Sequence, residues 1–94
     1  MIAADEAKRI GLVNTVVAPG HERNAALALA KKIAAKSAVT VKIGKEAFHR
    51  QLEMPLADAY SYASEVMVEN MLARDAEEGI GAFIEKREPK WEDR

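Results

Sequence analysis

The sequence predicts an all-α chain of about five helices with one short extended segment. Three observations predict it. Alanine is the commonest residue, while only 5 glycines and 3 prolines punctuate the 94 residues, a composition rich in helix formers. Apolar residues recur at spacings of three and four through most of the chain, the signature of amphipathic helices. A single β-branched run, Leu12 to Val17, interrupts that pattern. One strand cannot stabilise itself, so this run either pairs outside the chain or serves as an extended connector.

The elements follow in order. Ala3 to Ile10 suits a short helix, with Asp5 and Glu6 early and Lys8 and Arg9 late, the polarity a helix dipole favours. It has no side-chain N-cap, and Gly11 stands where a left-handed C-terminal residue belongs. Ala18-Pro19-Gly20 turns the chain after the β-like run. His21 to about Lys36 is helical, with Ala26, Leu29, Ala30 and Ile33 as its stripe. Ser37 caps a third helix, Ala38 to Leu52, on which Val39, Ile43 and Ala47 share one side and Val41, Phe48 and Leu52 an adjacent one. Gly44 in its interior costs roughly 1 kcal/mol relative to Ala, which a close helix crossing would offset. Pro55 fits the first position of the longest helix. Leu56, Ala59, Tyr60, Ala63, Met67, Asn70 and Met71 hold one stripe there, the clearest in the chain. Asp75 followed by Glu78 matches a capping box. Ile80, Phe83 and Ile84 then share a face, and Pro89 ends this last helix, leaving a tail from Lys90 to Arg94.

Composition narrows the function classes. Residues 1–94 are enough for a single small helical domain. Lys+Arg number 14 against 15 Asp+Glu, a net charge of −1. Nucleic-acid domains usually carry a basic excess, so no nucleic-acid partner is expected. No run of about 18 apolar residues occurs, so no membrane partner is expected. The absence of cysteine excludes a disulfide scaffold, a thiol nucleophile and a Cys-ligated metal. It fits a reducing compartment, and a cytoplasmic protein is expected. Met1 to Ile10, with four charged residues, lacks the apolar core of a signal peptide.

No complete catalytic constellation appears. His49 has Glu46 and Glu53 at helical spacing, but such a trio reads as a solvated face with charge pairs rather than a general base or half a metal site. Glu77 and Glu78 diverge by about 100° on a helix and cannot flank one bond. Gly79-Ile80-Gly81 lies inside a helix, so it reads as close packing rather than a dinucleotide loop. Met54, Met67 and Met71 read as core. Metal ligands and catalytic residues are therefore none.

Longer motifs do carry a resemblance. Ala4 to Val17, with Glu6-Ala7 and Gly11-Leu12-Val13, resembles the "A-x-E-A-x-x-x-G-L-V-x-x-V-V" segment of the enoyl-CoA hydratase/isomerase (crotonase) superfamily. Ala34-Ala35-Lys36-Ser37 and Gly44-Lys45 resemble a second stretch. Asp75 to Arg87, followed by Pro89 and Trp91, resembles its terminal "D-x-x-E-G-x-x-A-F-x-E-K-R-x-P-x-W" signature. The resemblance implies the C-terminal helical domain of a longer crotonase-fold chain, without the N-terminal ββα spiral. There the family's two catalytic glutamates and its two oxyanion-binding N–H groups lie. It further implies an acyl-CoA substrate with no separate cofactor, a homo-oligomer (a trimer or a dimer of trimers), and a role covering the acyl site and making the trimer. The 94 residues alone are expected to be inactive. Lys86 occupies the position that reaches a CoA phosphate in family hydratases, although a lysine at a helix C-terminus also fits the dipole. Met67 stands where some members place an aromatic residue against the adenine. Trp91 is expected at a subunit boundary. The alternative function is a non-catalytic helical interaction or oligomerisation module.

Overall fold

A computed structural model describes residues 1–94. It contains five helices, α1 (Ala4–Arg9), α2 (Glu22–Ala34), α3 (Ala38–Gln51), α4 (Leu56–Met71) and α5 (Arg74–Glu85), and no strand. The β-like run is a connector, because no second strand exists in the chain to take its backbone hydrogen bonds. Two compact units are resolved, Met1–Ile33 and Ala34–Arg94.

In the first unit, α1 begins at Ala3 without a side-chain cap and ends in a Schellman motif. Gly11 takes φ 81°. Its N–H reaches the Lys8 carbonyl at 3.1 Å, and the Leu12 N–H reaches the Ala7 carbonyl at 2.8 Å. The expected role of Gly11 is therefore realised. Ala7 is the one buried residue of this unit, and α2 buries nothing. Its expected stripe, Ala26, Leu29, Ala30 and Ile33, is exposed throughout.

In the second unit, α3, α4 and α5 pack on one another. Ser37 caps α3 as expected, its Oγ accepting from the Thr40 N–H at 3.5 Å. Pro55 stands at the N-cap of α4 rather than inside its first turn. Gly44 has nothing within 4 Å of where a Cβ would lie, so no close crossing offsets its cost. Gly79 does pack closely, since a Cβ there would meet the Trp91 ring at 3.2 and 3.3 Å.

The last helix departs from expectation at both ends. Asp75 is not its cap: α5 starts from Ala73, which makes no side-chain cap bond. Asp75 lies one residue inside the helix and is only 2 % exposed. The helix stops at Glu85, three residues before Glu88-Pro89, because Lys86 turns left-handed at φ 56°, ψ 41°. The Arg87 N–H then reaches the Ala82 carbonyl at 3.0 Å, closing a second Schellman motif. The tail beyond folds back onto the helices.

Candidate functional site

Burial is inverted on α4 and α5. A helix normally turns its large apolar residues inward. Here α5 buries Ala82 and Asp75, while Phe83 is 84 % and Ile84 72 % exposed. On α4, Leu56, Tyr60, Met67 and Met71 are all exposed, and only Ala59 and Asn70 of the predicted stripe are half-buried. On α3, Val39, Ile43 and Ala47 are half-buried, whereas Phe48 and Leu52 are not. Ala82 is the only buried apolar residue of the second unit, Val39, Ile43 and Val66 are half-buried, and many of the large apolar residues form an uncovered surface.

Met67 lines a shallow groove of about 200 Å³ between α3 and α4, with Ile43, Gly44, Ala47 and Ala63 around it. Lys86 is not among the groove's lining residues, so the structure does not bring the two predicted site residues to one cavity. Lys86 makes no ion pair within the chain, and its backbone sits in a conformation that normally selects glycine. Holding a side chain there costs on the order of 1 kcal/mol.

A dense polar cluster lies elsewhere, and spacing alone did not reveal it. Asp75 accepts from three donors: the Ser37 hydroxyl, the Glu92 N–H at 2.8 Å and the Asp93 N–H at 3.0 Å. Burial pushes the Asp75 carboxyl up, but these hydrogen bonds together draw it below its ordinary value. Glu78 accepts from both terminal nitrogens of Arg87, at 2.7 and 3.0 Å, and from the Lys90 N–H at 2.7 Å. The Arg87 hydrogen bonds, then the Lys90 N–H, lower Glu78 to about 2. Trp91 donates its indole N–H to the Ala35 carbonyl at 2.8 Å. Trp91 is thus engaged within its own chain. The signal that a longer-range reading would have needed is the pairing of two acidic residues in α5 with the backbone of a tail 12 to 18 positions on.

Glu46 pairs with Arg50 at 2.6 Å, and the His49 ring meets Phe48 edge-on at 5.4 Å. No three His, Cys, Asp or Glu residues converge as a metal site. No helix is long and apolar enough to cross a membrane.

Comparison with known proteins gives this geometry a family. The family model described as enoyl-CoA hydratase/isomerase matches residues 1–94. Enoyl-CoA hydratase domain-containing protein 3, mitochondrial, of Rattus norvegicus is 46 % identical over 90 residues, covering 96 % of this chain and 30 % of that protein. The short-chain-enoyl-CoA hydratase of Clostridium acetobutylicum is 42 % identical over 86 residues, covering 92 % of this chain and 33 % of that protein. A crystal structure of enoyl-CoA hydratase from Mycobacterium smegmatis superposes with TM-score 0.91 at 44 % identity, covering 96 % of this chain and 35 % of that one. That of human enoyl coenzyme A hydratase domain-containing protein 3 gives 0.91 at 41 %, covering 96 % and 36 %. The chain therefore spans about a third of the length of the proteins it matches.

Proposed function

This chain belongs to the enoyl-CoA hydratase/isomerase (crotonase) family, and we propose that it is the helical part of a CoA-thioester enzyme that covers the acyl site and makes the subunit contacts of a trimer. The observation that carries this reading is the outward display of Tyr60, Met67, Phe83 and Ile84. Apolar surface left bare on short helices marks an interface. The two surfaces that such an enzyme offers are the rest of its own fold and a neighbouring subunit. The substrate is an acyl-CoA of fatty-acid or related metabolism, hydrated or isomerised at its double bond, with no separate cofactor. Lys86 holds a CoA phosphate as a point charge. Its ammonium makes no ion pair within the chain, which leaves it available for that role. Met67 faces the nucleotide end without the stacking an aromatic ring provides. The compartment is a reducing one. The cytoplasm fits the cysteine-free chain, and the rat relative is named mitochondrial.

A chimera tests this reading. Residues 1–94 replace the matching third of the Clostridium acetobutylicum hydratase, which is 42 % identical to them. The expected result is a soluble trimer that hydrates a short 2-enoyl-CoA, while the 94 residues alone turn over nothing above buffer. A folded, monomeric chimera without turnover contradicts the proposal.

A further inference from the structure

Six residues of the tail Arg87–Arg94 tie it to the rest of the second unit. Glu78 takes the Arg87 guanidinium and the Lys90 N–H, and Asp75 takes the Glu92 and Asp93 N–H groups. Trp91 lies on Gly79 and donates to Ala35. Asp93 accepts from the Ala38 N–H at 2.8 Å, and the Arg94 carbonyl from the Asp75 N–H at 2.9 Å. Two features set this segment apart from the helices it crosses. It has no backbone ladder of its own, and, like α3 and α4, it contributes no fully buried apolar side chain. Three of its backbone donors, on Lys90, Glu92 and Asp93, end on carboxylates, so much of its attachment depends on two side-chain charges. Segments with few buried apolar contacts open at lower free energy than the core. Trp91 also forms one wall of a groove of about 400 Å³ whose other walls include Val41, Met71 and Ile80.

We propose that Arg87–Arg94 is a carboxylate-latched strap, held by Asp75 and Glu78, that opens as a unit while α3, α4 and α5 stay folded. Opening lifts Trp91 off Gly79 and widens that groove on its Trp91 side. Acid is one trigger. The charged groups around the latch are Arg74, Glu77 and Glu85 on α5, Lys36 ahead of α3, and Arg87, Glu88, Lys90, Glu92, Asp93 and Arg94 on the strap; Glu85 also takes the Arg87 Nε–H at 2.5 Å. From α4 the facing group is the neutral Asn70, whose buried Oδ1 has no partner. Glu78 is lowered to about 2 in the folded chain. Its contribution is therefore fully present above its ordinary value near 4.5 and is lost as pH falls from there towards 2. Asp75 is lowered in the same direction.

Trp91 is the only tryptophan, so its fluorescence reports the strap and far-ultraviolet circular dichroism reports the helices. In the unmodified chain, titrated from pH 7 to 2, the emission is expected to shift to the red before the helical signal falls. At pH 7, Glu78→Gln and Asp75→Asn are each expected to red-shift the emission and to raise acrylamide quenching about twofold, with helicity retained. Glu46→Gln, which removes an ion pair on α3 remote from the strap, leaves both signals unchanged. The proposal is overturned if emission and helicity change in one coincident transition. It is equally overturned if both latch variants keep the native emission, or if both lose helicity along with it.

Discussion

Lys86 is a lysine in a glycine's place. It closes the Schellman motif at the end of α5 with φ 56°, which an L side chain adopts at a cost on the order of 1 kcal/mol. Lys86→Gly is therefore expected to stabilise the 94-residue chain by about 0.5–1 kcal/mol in urea or thermal unfolding, despite the entropy glycine adds to the unfolded state. Destabilisation by that substitution shows instead that the lysine stem packs against the helix end. At this scale some of the molecule was legible and some was not. Ser37 and Gly11 act through backbone groups within a few positions, so their roles follow from local pattern. Asp75 and Glu78 have the spacing of a capping box, yet their acceptor atoms are claimed by Arg87, Lys90, Glu92 and Asp93. Local spacing cannot see a tail that returns, and three backbone and guanidinium donors outcompete one helix-end N–H.

At the scale of the helix, α3 and α5 carry glycines with opposite surroundings. A Cβ on Gly44 meets nothing within 4 Å, whereas one on Gly79 meets Trp91. Gly44→Ala is expected to stabilise this chain by about 1 kcal/mol, the ordinary helix-interior gain. Gly79→Ala is expected to gain less, because the Trp91 ring must move by a few tenths of an ångström, and to shift the Trp91 emission. Equal gains with unchanged emission contradict the packing described. Helix positions were largely readable from the 3.6-residue period, since four of the five helices begin and end within about two residues of the pattern. The end of α5 was not, because Pro89 advertises a stop that Lys86 has already made three residues earlier. Which face turns inward was also unreadable. Periodicity locates an apolar stripe but not its partner, and the stripes of α2, α4 and α5 find little to cover them within 94 residues.

For the whole molecule, that uncovered surface is the dominant physical fact. Leu56, Tyr60, Phe83 and Ile84 are each at least 70 % exposed, beyond what a monomeric soluble domain usually leaves bare. The isolated chain is expected to associate with rising concentration in sedimentation velocity and to bind an apolar dye. A strict monomer with no dye binding contradicts the interface assignment. The family motifs span nearly all of the chain, which is why its membership was readable from sequence. On the proposed function, the remaining two-thirds of the relatives' length, where the resemblance places the catalytic groups, is what these helices cover.

The proposed role of these helices in a CoA-thioester enzyme is tested most directly by steady-state kinetics of the Lys86→Gly substitution in the hydratase chimera. Glycine keeps the left-handed turn, so the fold is preserved while the ammonium is removed. The account predicts that KM for the CoA ester rises about fivefold with kcat nearly unchanged, the pattern of lost uniform binding worth on the order of 1 kcal/mol. The effect should shrink at high salt and vanish for a pantetheine thioester, which lacks the nucleotide phosphates. A fall in kcat with KM unchanged, or an equal loss with the pantetheine ester, would contradict it and leave Lys86 as the end of a helix alone.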